Sequence, residues 1–98
     1  MRLTTVEVAA IKDAAVRTFG AGAVVRLFGS RLRDDARGGD IDLHLEVDQG
    51  QEDVAHAARF RWDVYRRLGE RAMDLVFRVR GRPLRSIDRA AYVDGAIL

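Results

Sequence analysis

Three aspartates are the residues best placed to do chemistry. Asp40 and Asp42 flank Ile41 in GGDIDLHLEV, and Asp74 stands in MDLVF. On an extended strand, residues two apart share a face and lie about 6.5–7 Å apart. Asp40 and Asp42 therefore point the same way. If the strand carrying Asp74 lies beside theirs, its carboxylate sits roughly 5 Å to the side. Three carboxylates gathered like this raise one another's pKa or hold a cation. Hard oxygen donors with few nitrogens suit Mg²⁺, or Mn²⁺, better than Zn²⁺. Two such ions about 3.5–4 Å apart can stabilise the attacking and leaving oxygens of a phosphoryl displacement.

Upstream lies Gly29-Ser30, followed by Arg31 and Arg33. A glycine lets backbone N–H groups approach a phosphate, and the serine hydroxyl adds a donor. The two arginines can contact phosphate oxygens. Each of these residues also has a plainer role. Ser30 can cap a turn, the arginines can be solvated, and the acids can decorate a turn and a strand surface. His44 shares the face of Asp42 but reads as an ordinary strand residue. His56 lacks a ligand partner at helical spacing. Competing motifs are missing. There is no G-K-[ST] of a P-loop and no H-E-x-x-H, and Gly20-Ala21-Gly22 precedes a strand where a dinucleotide turn follows one.

These groups need a scaffold. Thr4-x-x-Glu7 has the pattern of a capping box, and Val8, Ile11, Ala15 and Phe19 recur at helical spacing, which predicts a helix over 5–19. Residues 23–28 predict a first strand. Residues 31–38 read as a short helical turn and loop. In residues 41–47, Ile41, Leu43, Leu45 and Val47 alternate with Asp42, His44 and Glu46, the period of a half-buried strand. A second helix opens near Asp48 or Gln51, with Val54, Ala58, Trp62, Tyr65 and Leu68 as its core stripe. Met73, Leu75, Phe77 and Val79 give a third strand over 72–79 its inner face. Pro83 suits the start of a last short helix around 84–91.

The chain reads as one domain, residues 1–98, of α/β (α+β) class. A small mixed sheet is expected, with helices packed mainly on one face. With 48% hydrophobic and 33% charged residues, the composition is that of a globular protein. The absence of cysteine excludes disulfides, thiolate metal sites and a cysteine nucleophile. No signal peptide or membrane span is apparent, so a cytoplasmic location is expected. The net charge of +2 hides an uneven distribution: acids crowd residues 34–53 and arginines residues 59–89. The arginine-rich half suits RNA, a nucleotide or an acidic partner, although a solvated surface is the plainer reading.

The pattern G-S-x9-D-x-D-L, followed by a strand with a single aspartate, resembles the minimal nucleotidyltransferases of the DNA polymerase β-like superfamily. The matching residues are Gly29, Ser30, Asp40, Asp42 and Asp74, and the resemblance covers nearly the whole chain. Arg31 and Arg33 are similar to the family's GSRxRG opening. Asp34 stands where that opening has glycine, and Gly39 where serine is common before the first aspartate. The resemblance implies a polymerase-β-like fold and two Mg²⁺ ions held by Asp40 and Asp42, with Asp74 on the ion that activates the acceptor. It also implies ATP as substrate, with its triphosphate at Gly29-Ser30. It further implies an antitoxin that attaches AMP to a tyrosine of a HEPN-type ribonuclease toxin. Two other readings stand beside it. One is an inactive module that neutralises its partner by binding alone, in a homo- or hetero-oligomer. The other is nucleotidyl transfer to RNA or to a small molecule.

Overall fold

The computed structural model describes residues 3–28 and 41–98. Helix α1 (Thr5–Phe19) starts at the expected cap. The Glu7 N–H donates to Thr4 Oγ1 at 3.1 Å, and the Thr4 N–H donates to Glu7 Oε1 at 2.8 Å. The reciprocal pair satisfies donors that the first helical turn leaves without partners. Strand β1 (Val24–Leu27) is followed by β2 (Ile41–Val47), α2 (Val54–Leu68), β3 (Met73–Val79), α3 (Ser86–Asp94) and a two-residue strand β4 (Ala96–Ile97).

The strands form one mixed sheet in the order β3-β2-β1-β4. β1 runs antiparallel to both β2 and β4, whereas β2 and β3 are parallel. Helix α2 supplies the crossover that a parallel pair requires. The described residues thus make a small mixed α/β structure of three helices and a four-stranded sheet.

The alternation in β2 sets the two faces. Ile41, Leu43, Leu45 and Val47 are fully buried with Val25, Leu27 and Met73, beneath Ile11, Ala14, Ala15 and Phe19 of α1 and Phe60 and Val64 of α2. Each such aliphatic or aromatic side chain contributes about 1.5–3 kcal/mol by leaving water. Phe19 is the hinge of this packing, with its ring 5.7 Å from both Phe60 and Phe77. Helix α3 departs from the one-sided arrangement. It lies against the other face, where Asp88 meets His44 and Tyr92 meets Glu46.

Three further expectations are corrected. Helix α2 opens at Asp53, whose Oδ1 accepts from the His56 N–H at 2.9 Å, and not at Asp48 or Gln51. Its buried residues are Phe60, Asp63 and Val64, while Val54, Trp62 and Tyr65 of the expected core stripe are exposed. The last helix spans Ser86–Asp94, later than expected, and leads through Gly95 into β4. At Gly95 the backbone approaches so closely that a Cβ would overlap the Ala91 carbonyl oxygen and lie 3.3 Å from that of Leu27.

The free edge of β3 is covered by arginines. Arg61 donates to the Met73 carbonyl at 2.6 Å, Arg78 to that of Val79 at 2.7 Å, and Arg85 to that of Phe77. Guanidinium groups thereby occupy acceptors that an edge strand otherwise offers to another chain.

Candidate functional site

Parallel pairing of β2 and β3 decides how the acids meet. The register places Asp42 opposite Asp74, with Ile41 opposite Met73 on one side and Leu43 opposite Leu75 on the other. Register partners on adjacent strands share a face and are separated by about 4.8 Å of backbone. Both carboxylates therefore rise from the same end of the same face. Asp42 is half-buried and Asp74 exposed. The end of β1 reaches the same place: the N–H of Phe28 donates to the Asp42 carbonyl at 3.1 Å. Phe28 is the chain neighbour of Gly29. Gly29, Ser30, Arg31, Arg33 and Asp40 lie outside the described residues, so Asp42 and Asp74 are the predicted site residues that the structure brings together.

The donor chemistry of this pair suits a hard divalent cation. Two carboxylates side by side offer oxygen ligands without thiolates, the set that Mg²⁺ takes alongside phosphate oxygens and water. Among the described residues no group of three or more histidine, cysteine and acidic side chains is clustered for a metal. Asp42 and Asp74 are the described carboxylates that could take part in holding such an ion.

Behind Asp42 on the same face lies a polar network that the sequence does not announce. His44 is fully buried, and its Nε2 lies 2.8 Å from Asp88 Oδ1. Asp88 also accepts from the Arg85 backbone N–H at 2.9 Å and from the Arg85 guanidinium at 3.0 Å. Burial works to raise the Asp88 pKa. The Arg85 side chain and backbone and the His44 ring outweigh it and hold the carboxyl well below its usual range. Facing an ionised Asp88, His44 Nε2 is the donor of this contact. Nδ1 is buried and has no hydrogen-bond partner among the described residues. Two residues further along β2, Glu46 accepts from Arg26 at 3.0 Å and from the Tyr92 hydroxyl at 3.0 Å, while the Arg26 guanidinium lies 4.3 Å over the Tyr92 ring. Burial raises the Glu46 pKa too, and Arg26 and Tyr92 overcome it and lower the carboxyl below its ordinary value.

These contacts clamp α3 onto β2 and fix the strand that carries Asp42. The sequence reading gave His44 no special role and missed Asp88 altogether. The one local signal was an acid in the first turn of a helix, where an acid is favoured for a different reason.

Compared with protein-family models, with curated proteins and with solved structures, the chain matches none. Among the described residues no helix is long and apolar enough to cross a membrane.

Proposed function

We propose that the chain is a Mg²⁺-dependent nucleotidyltransferase that moves a nucleoside monophosphate, AMP from ATP foremost, onto a hydroxyl acceptor. The reading extends the family resemblance of the sequence, in which the acceptor is a tyrosine of a HEPN-type ribonuclease and the chain acts as its antitoxin. The observation that carries it is the Asp42–Asp74 register, because it joins two acids far apart in the chain at the end of the sheet that β1 reaches at Phe28.

Asp40, Asp42 and Asp74 would hold the metal, which when bound supplies charge neutralisation of the triphosphate and a more acidic acceptor hydroxyl. Gly29-Ser30 and Arg31 and Arg33 would bind phosphate oxygens. The acceptor oxygen attacks the α-phosphorus, the bond to the β-phosphate oxygen breaks, pyrophosphate leaves and the hydroxyl proton passes to solvent. His44 and Asp88 would act at one remove, by holding β2 in place.

The test is transfer of label from ATP marked at the α-phosphate to a co-expressed partner, read by intact mass, with Asp42→Asn alongside. An AMP-sized gain that disappears in the variant supports transfer. A tight complex that silences the partner without any mass gain supports neutralisation by binding alone.

A further inference from the structure

Helix α2 carries two apolar faces, and only one is used. Phe60 and Val64 enter the core, whereas Val54 is 85% exposed, Trp62 61% and Tyr65 44%. With Ala58, the exposed set falls at spacings of four, four and three residues, which is a continuous stripe on one side of a helix. The Trp62 and Tyr65 rings stack on each other, with centroids 5.5 Å apart and planes within 10°. Trp62 stands as a ridge between two grooves. One, of about 410 Å³, runs past Ala58 and Tyr65 to Met73, the neighbour of Asp74. The other, of about 320 Å³, runs past Arg17 and Arg59.

We propose that this face of α2 is a docking surface for an acidic amphipathic helix of a partner protein, with Trp62 and Tyr65 as its apolar anchors and Arg59 on its charged rim.

Charge identifies the occupant. α2 contains Arg59, Arg61, Arg66 and Arg67 against one acid, Asp63. Asp63 is buried and already engaged by Arg66 at 3.2 Å and Arg67 at 3.4 Å. Arg61 donates to a backbone carbonyl, so its charge is not neutralised by that bond. Arg71, at the end of the larger groove, is taken by Glu7. Glu70, exposed in the larger groove, offsets Arg61 there, so the positive excess lies on the Arg59 side of the stripe, where a partner with Glu or Asp beside its own apolar stripe complements it. A second copy of this chain offers the same arginine-rich helix, whose one acid, Asp63, is already paired. Single-stranded nucleic acid fits the arginines but not the aliphatic part of the stripe. It also needs open aromatic platforms, and Trp62 and Tyr65 already stack on each other. Exposed aromatics and arginines together are the composition of binding hot spots. The inference does not rest on nucleotidyl transfer.

Trp62 is the only tryptophan, so it reports its own surroundings. The wild-type protein is titrated with a helical Leu/Glu peptide, its Leu/Lys counterpart and oligouridylate, following Trp62 emission and, with labelled peptide, anisotropy. The expected result is saturable binding of the Leu/Glu peptide with a blue shift of Trp62. Affinity should fall at least about tenfold in Arg59→Glu and in Trp62→Ala, both still folded by circular dichroism and melting cooperatively. Asp42→Asn should bind the peptide as the wild type does, which separates this surface from the carboxylate site. Absence of binding, equal binding of the Leu/Lys peptide, preference for oligouridylate, or a dimer in sedimentation that Trp62→Ala dissolves would each overturn the proposal.

Discussion

Asp42 and Asp74 are register partners on adjacent parallel strands, so their carboxylates rise side by side from one face of the sheet. If the pair holds a metal needed for transfer, Asp42→Asn and Asp74→Asn each lower the transfer rate by at least about 100-fold. Far-ultraviolet circular dichroism should show the fold retained. Transfer at the wild-type rate in the double variant would remove the carboxylates from the mechanism.

The same pair predicts a stability response that needs no turnover. A cation bound only by the folded state stabilises it by about 2.7 kcal/mol at one hundred times its dissociation constant, so the melting temperature rises with its concentration. Millimolar Mg²⁺ should raise the melting temperature of the wild type and leave Asp42→Asn and Asp74→Asn where they were. An equal rise in all three would point to a nonspecific salt effect.

The His44–Asp88 contact joins β2 to α3 in a site closed to water. Asp88→Asn weakens a charge-assisted bond and is expected to cost about 1.5–3 kcal/mol in chemical denaturation. The sign of its pH dependence follows from linkage. The folded Asp88 carboxyl titrates below its unfolded value, so the contribution is complete above about pH 4 and declines as the pH falls through the acid range. Wild-type stability should therefore converge on that of Asp88→Asn on acidification. Parallel curves down to pH 2 would mean that the carboxyl is not held low.

The two faces of α2 should respond differently to truncation. Phe60→Ala removes a fully buried ring and is expected to cost about 3–5 kcal/mol. Trp62→Ala, on the exposed side, loses mainly its stacking on Tyr65 and should cost under about 1.5 kcal/mol. Denaturant midpoints of the two variants check the contrast directly, and similar losses would place Trp62 in the core after all.

Gly95 is needed for space. Its φ of −80° suits any residue, but an added methyl would collide with the Ala91 carbonyl and crowd that of Leu27. Gly95→Ala should cost about 1–3 kcal/mol and loosen β4 from β1, seen as faster amide exchange at Leu98, whose N–H donates to the Val25 carbonyl at 2.9 Å.

The local patterns were written in the sequence itself. The Thr4–Glu7 capping pair and the alternation from Ile41 to Val47 act over a few residues, and backbone geometry alone gives them their meaning. Tertiary structure decided the rest. Parallel pairing with the observed register brought Asp74 to Asp42, and a slip of one residue would have sent it to the core face. Helix α2 has an apolar set on each of two sides, and periodicity does not say which turns inward. Phe19, packed between Phe60 and Phe77, selected the Phe60 side and left Trp62 outside. His44 found Asp88 across 44 residues of chain. That pairing depends on where α3 lands on the sheet, because a buried polar group takes its meaning from the partner that the fold supplies.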